Sequence, residues 1–349
     1  MAVSNEEEKV DSRFLYKEED LIKSFNQIKA EDLDFLEASR RPTFVLFGGQ
    51  AGAGKSQTIG RVKEDNPSLY VIDVDELRER HPAYAEIQKE YGINASEYTH
   101  EFASRLKDKI VDYLREQGVD FGLETTMADE EKTLGLVQDP TWEHNGYHIE
   151  AYGVIVPREI SEIGVVSRYF HGREEGNARY VPAHVRAEQY EGMAQTVRAL
   201  AESGAVETIG LYDRDGKELY LAHGDQINPD RAFNTVAENR KLENTSTHQL
   251  ETALENHAYN QSQNEHIQAQ PAQTPAERNE QKILAADMKQ ELTYAKDIEK
   301  ALPKARKKER QEKRDERLKK RVEENKDKGQ SQNRDKVRDK DIQDRGRTR

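Results

Sequence analysis

The 349-residue chain has no cysteine, which excludes disulfides and thiolate zinc sites and fits a reducing compartment. It also lacks any apolar run approaching the ~20 residues that cross a bilayer. The N-terminus, with Glu6, Glu7 and Glu8, has neither the basic nor the apolar part of a signal peptide. A soluble cytoplasmic protein with no membrane contact is the expectation. Apolar residues are scarce as well, 34% against 35% charged, so part of the chain must be solvated or extended. Charge of one sign is lacking locally rather than overall. Residues 301–349 hold 20 Lys+Arg against 11 Asp+Glu, a local +9 inside a chain of net charge −13, which leaves about −22 for residues 1–300.

What is present divides along the chain. Residues 13–38 place Leu15, Leu21, Ile22, Phe25, Ile28, Phe35 and Leu36 at helical spacing, so residues 1–40 read as N-terminal helices. From residue 41 short apolar runs alternate with helical stretches: 43–47, 69–72, 119–123, 148–156 and 206–212. Strands separated by helices imply crossovers, hence an α/β fold with a mainly parallel sheet flanked by helices over 41–225. The run Tyr212-Asp213-Arg214-Asp215-Gly216-Lys217-Glu218 predicts a D-G turn and a returning strand that ends the sheet. Residues 226–275, rich in Asn, Gln and His near their end, read as a polar linker. Thr274, Pro275 and Glu277 then mark the N-cap, first turn and capping box of an amphipathic helix over 276–302. Its stripe is Ile283 or Leu284, Met288, Leu292, Ala295, Ile298 and Leu302. Beyond Pro303 the mixed charges of 303–349 read as a solvated helix or a disordered tail.

Residues 49–56 read G-Q-A-G-A-G-K-S, and Phe44-Val45-Leu46-Phe47 supplies the strand that this phosphate-binding motif requires before it. Gly49, Gln50, Ala51, Gly52, Ala53, Gly54, Lys55, Ser56 and Gln57 therefore form the expected nucleotide contact. The glycines let successive N–H groups face the phosphates at a helix N-terminus. Lys55 would reach the β- and γ-phosphates, and the Ser56 hydroxyl would ligate Mg²⁺. The motif alone leaves ATP and GTP open.

Tyr70-Val71-Ile72-Asp73-Val74-Asp75 reads as the next strand, whose carboxyl end faces the same crevice. Alternation along a strand puts Asp73 and Asp75 on one side, one to orient a magnesium water and one to take a proton from an attacking hydroxyl. Asp75, farther into the crevice, is the better base; a helix cap near Glu76 is the structural alternative. The third strand ends in Glu124-Thr125-Thr126, either a substrate contact or a helix cap before 127–136. Between Arg168 and Arg179 a polar stretch with two glycines suggests a lid. Arg168, Arg173 and Arg179 are its candidate cations for a migrating phosphoryl group.

In order, G-Q-A-G-A-G-K-S, I-D-V-D-E-L-R-E-R-H-P, E-T-T, S-R-Y, N-A-R-Y-V-P and L-Y-D-R-D-G-K-E-L-Y resemble the zeta-toxin family over about residues 42–220. The resemblance implies a P-loop kinase that uses ATP and Mg²⁺ to phosphorylate the 3′-hydroxyl of the amino sugar of UDP-N-acetylglucosamine. It implies that Lys55 holds the ATP phosphates and that Asp75 activates the hydroxyl. Asp73, Glu101, Glu124 and Thr126 would join Asp75 on the substrate, and Arg168 and Arg179 would contact ATP phosphates, leaving Arg173 structural. Thr125 stands where the family carries glycine. A small helical antitoxin that obstructs the nucleotide site is the implied partner. Two alternatives stay open: a kinase for another small-molecule or nucleic-acid hydroxyl, and a nucleotide-switched protein that meets nucleic acid through residues 303–349. That tail has few aromatics for base stacking.

Overall fold

A computed structural model describes residues 12–175 and 178–346, the stretch 320–346 by its helical backbone. Residues 1–11 of the N-terminal segment, 176 and 177 of the arginine-bearing segment, and 347–349 of the tail lie outside the described residues. Six strands form one sheet in the order β2-β3-β1-β4-β5-β6. They are β1 Thr43–Gly48, β2 Tyr70–Ile72, β3 Phe121–Glu124, β4 His148–Val154, β5 Thr208–Tyr212 and β6 Glu218–His223. The first five are parallel and β6 returns antiparallel on β5 through the D-R-D-G turn.

The central strand β1 is buried on both faces, as a strand between crossover helices must be. Phe44 and Leu46 pack with Phe121 and Trp142 on one side, while Val45 and Phe47 pack with Leu69 on the other. After β1 the chain runs out to β2, returns to β3 beside β1, then crosses to β4 on the opposite flank. The order therefore reverses between β1 and β4, which opens a ligand crevice at their carboxyl ends. Helices α1 Glu18–Glu31, α2 Lys55–Asp65, α3 Val74–Leu77, α4 Tyr84–Tyr91, α5 Ala95–Gln117, α6 Glu130–Val137, α7 Thr141–His144, α8 Arg158–Glu175 and α9 Ala183–Ser203 supply the crossovers and covering layers. Three more follow the sheet: α10 Pro229–Asn239, α11 Thr247–Gln268 and α12 Pro275–Gly346.

Several sequence expectations are corrected. The second strand stops at Ile72, so Asp73 and Asp75 do not share a side of an extended chain. The Asp73 carboxylate instead accepts from the Asp75 N–H at 2.8 Å and caps α3, because Asp satisfies an orphan helix donor well. The E-T-T triplet caps no helix; Asp129 does that for α6. The supposed lid is mostly helix, since α8 runs to Glu175 and carries Arg168 and Arg173. Burial of Ile163, Val166, Tyr169 and Phe170 outweighs the helix cost of its glycines, which is about 1 kcal/mol each.

Residues 226–275 are no extended linker. Asn228 caps α10 with Pro229 in its first turn, and Ser246 caps α11. Composition misleads there because polar side chains are buried with partners: Asn260 is fully buried and donates to the Ile163 carbonyl and to Glu291. The capping box at α12 forms as expected, with Glu277 N–H donating to Thr274 and Thr274 N–H to Glu277. That helix continues through Pro303. Its buried face is also richer in acids than the apolar stripe indicates. Glu280, Leu284, Asp287, Glu291, Ala295, Ile298 and Ala305 are buried at helical spacing, whereas Leu292 is 47% exposed.

Candidate active site

The glycine-rich loop between β1 and α2 is shaped by contacts from four later parts of the chain. Gly52 has a φ of 76°, and a Cβ there would stand 2.2 Å from the Ser161 carbonyl of α8. Gly54, with φ 89°, precedes α2 in a left-handed conformation that L side chains rarely adopt. Gln50 is buried and donates to the Val156 carbonyl beyond β4. The Ala51 N–H donates to Gln189 of α9 at 3.1 Å, and Arg214 of the β5–β6 turn donates to the Gly52 carbonyl at 2.9 Å. Ser56 and Gln57 are exposed on the first turn of α2.

Lys55 turns its ammonium back to the Gly49 carbonyl at 3.2 Å and lies 4.0 Å from Glu124 at the end of β3. Burial lowers the Lys55 pKa although Glu124, Asp75 and Asp73 oppose it. Burial likewise raises that of Glu124, against the pull of Lys55. A polyanion entering here would favour the charged form of Lys55 and be held by it.

Across the crevice, Arg78 binds Asp75 at 3.1 Å, Arg168 approaches its other oxygen at 3.6 Å, and Arg179 sits 3.7 Å from Asp73 and 3.1 Å from Glu79. Burial pushes the Asp75 carboxyl upward, but Arg168, Arg78 and Arg179 more than offset this and hold it below the usual range. The structure thus gathers Lys55, Asp73, Asp75, Glu124, Arg168 and Arg179. Thr126 follows β3 in the non-helical segment before α6 and is half-buried. Thr125 continues the ladder, its N–H donating to Phe47 at 2.9 Å. Beside it Met127 holds a left-handed φ of 48° and fills the space above Gly48.

Glu101 is not brought to this group. It is exposed on α5 and accepts from the Tyr16 hydroxyl at 2.9 Å, on the face that receives the N-terminal segment. Arg173 points away to Glu280 at 2.8 Å. Three residues escaped sequence reasoning: Arg78, Gln189 and Arg214. Only Arg78 carried a signal, its position one helical turn beyond Asp75.

The residues present fit a nucleoside triphosphate. The loop is too tight for a Cβ at Gly52, a helix N-terminus follows it, and Lys55 supplies a partly buried cation. For Mg²⁺ the fit is of a particular kind. Among the described residues no cluster of three acidic or histidine side chains could hold a metal, so Ser56 would share the ion with phosphate oxygens and water.

A parallel sheet with this loop at its switch point, facing carboxylates and arginines from flanking helices, defines a P-loop kinase-like α/β protein. Residues 27–225 match the family model described as Zeta toxin, and the chain belongs to that family. It is 30% identical over 191 residues to Toxin PezT of Streptococcus pneumoniae, covering 53% of this chain and 73% of that one. It is 26% identical over 236 residues to Toxin zeta of Streptococcus agalactiae, covering 66% and 79%. The solved structure from the PezAT chromosomal toxin-antitoxin system of S. pneumoniae superimposes with a TM-score of 0.61 at 21% identity, over 71% of this chain and 98% of that one, a likeness of fold. Helices α10, α11 and α12 lie beyond the family match.

Proposed function

We propose that the protein is an ATP-dependent phosphotransferase whose acceptor is the 3′-hydroxyl of the amino sugar of UDP-N-acetylglucosamine, and that it is the toxin of a toxin-antitoxin pair in the cytoplasm. The observation that carries the reading is Asp75 held ionised by Arg78 and Arg168 across the crevice from Lys55. An ionised carboxylate in the crevice can take the proton of a bound hydroxyl as it attacks. The acceptor oxygen forms a bond to the γ-phosphorus as the bridging bond to the β-phosphate breaks. The hydroxyl proton passes to Asp75 and ADP departs.

Lys55 and the loop amides hold the donor phosphates, and Arg168 and Arg179 spread the charge of the migrating group. Bound Mg²⁺ would neutralise phosphate charge, with Ser56 as its protein ligand. Asp73, Glu124 and Thr126 border the acceptor. The antitoxin part of the reading rests on the family and on the solved relative from the PezAT system. Incubating the purified chain with ATP and UDP-N-acetylglucosamine tests the acceptor. Mass analysis should find the sugar nucleotide carrying one added phosphate; an unmodified sugar nucleotide in a preparation that binds ATP sinks the assignment.

A further inference from the structure

We infer that Glu280 and Asp287 of α12 are positioning residues for Arg168 and Arg179, acting through the tyrosine that follows each arginine; this rests on the phosphotransferase reading. The Tyr169 hydroxyl donates to Glu280 at 2.6 Å and the Tyr180 hydroxyl donates to Asp287 at 2.7 Å. Both tyrosines are 4% exposed and their rings meet edge to face at 5.7 Å. The two carboxylates are seven residues apart, two turns of one helix, and therefore share a face. Each is tied further: Glu280 accepts from Arg173 at 2.8 Å, and Asp287 from Arg186 at 2.9 Å. Arg186 also donates to the Val181 carbonyl.

On α8 the side chain of residue 169 is offset by about 100° from that of 168, so anchoring Tyr169 fixes the rotation of the helix and the direction of Arg168. Tyr180 is held at both ends, its hydroxyl by Asp287 and its carbonyl by Ser96, which leaves Arg179 little freedom except toward Asp73 and Glu79. Energetics favour a geometric role. Apolar residues would bind α12 to α8 at lower desolvation cost than two buried carboxylates, so the carboxylates are better explained by what they orient. Arginines held in place need not be ordered when nucleotide arrives, which strengthens binding.

The test uses the full chain and measures the affinity for a non-hydrolysable ATP analogue with Mg²⁺ by calorimetry, with hydrogen exchange to follow α12. Two double variants remove the link: Glu280→Gln with Asp287→Asn, and Tyr169→Phe with Tyr180→Phe. The second keeps the packed rings, so folding is preserved if the first fails to fold. Each should weaken binding of the ATP analogue by about tenfold, and the loss should vanish in an Arg168→Ala/Arg179→Ala background. Glu291→Gln, whose hydrogen bonds run to His257 and Asn260 of α11 and to neither tyrosine, should leave affinity unchanged. Unchanged or tighter binding in the folded tyrosine variant overturns the inference, as does a loss that persists without the two arginines. Because affinity is read rather than sugar phosphorylation, a wrong acceptor leaves this test intact. Wild-type chain that binds no nucleotide overturns the phosphotransferase reading itself and the inference with it.

Discussion

Arg168 holds its guanidinium 3.6 Å from the carboxylate of Asp75. One residue proposed for charge stabilisation thus pairs with the residue proposed as base, and a hydroxyl that reaches Asp75 must enter beside that pair. Replacing Asp75 with asparagine keeps the shape and removes the proton acceptor. Transfer should fall by about 10²–10⁴-fold while ADP affinity stays within a few-fold of wild type, as equilibrium binding alongside initial rates would show. Undiminished turnover removes Asp75 from the base role.

Arg78 supplies a second test of the same assignment. Burial drives the Asp75 carboxyl up, and Arg168 and then Arg78 pull it below the usual range. A carboxylate base works above its folded pKa, so the acid limb of kcat/KM should lie below the ordinary carboxylate range. Arg78→Gln removes part of the downward pull, and the limb should move to higher pH, where each unit corresponds to about 1.4 kcal/mol. An acid limb at the same pH in both enzymes would assign it to another group.

The sheet and the nucleotide loop were legible in the sequence because their signals are local. Glycines at fixed offsets follow an apolar strand, and short apolar runs alternate with helical stretches. The geometry of Asp73 was not legible, because one residue decides whether a strand continues or a helix is capped. Gln189 and Arg214 reach the loop from more than 130 positions away, and no spacing rule encodes such a contact. The helices within 226–275 and the buried acids of α12 escape the sequence for a related reason. Asn260, Glu280, Asp287 and Glu291 look solvated in sequence, and only partners such as Tyr169, Tyr180, Arg186 and His257 make their burial tolerable.

Glycine substitutions separate helix propensity from close approach. An alanine in place of a helical glycine gains up to about 1 kcal/mol where space is free. Gly60 in α2 and Gly135 in α6 have nothing within 4 Å of an added Cβ, so each alanine variant should raise Tm. Gly164 in α8 faces the Gly52 carbonyl, which a Cβ would meet at 2.9 Å, with Arg214 at 3.1 Å. Backbone cannot move aside as a flexible side chain can, and overpacking costs about 1–3 kcal/mol. Gly164→Ala should lower Tm and weaken ADP binding by displacing the loop. Thermal melts and calorimetry of the three variants decide it; a stabilised Gly164→Ala would show that α8 can retreat from the loop.

Glu291 gives a stability prediction with a definite sign. It is 2% exposed; one oxygen accepts from His257 at 3.0 Å and Asn260 at 2.9 Å, and the other has no partner among the described residues. Burial raises its pKa above the ordinary 4.5, although His257 and Asn260 pull it down. The folded state therefore holds this proton more tightly than the unfolded chain. Its contribution to stability is fully present below about 4.5 and is lost as pH rises through the folded value. Glu291→Gln removes that titration, so the stability of the parent relative to the glutamine variant should be greatest in acid and decline toward neutrality. Denaturant melts of the two proteins across that range should show the decline. A difference that stays flat with pH would mean that Glu291 ionises in the folded protein as readily as in the unfolded chain.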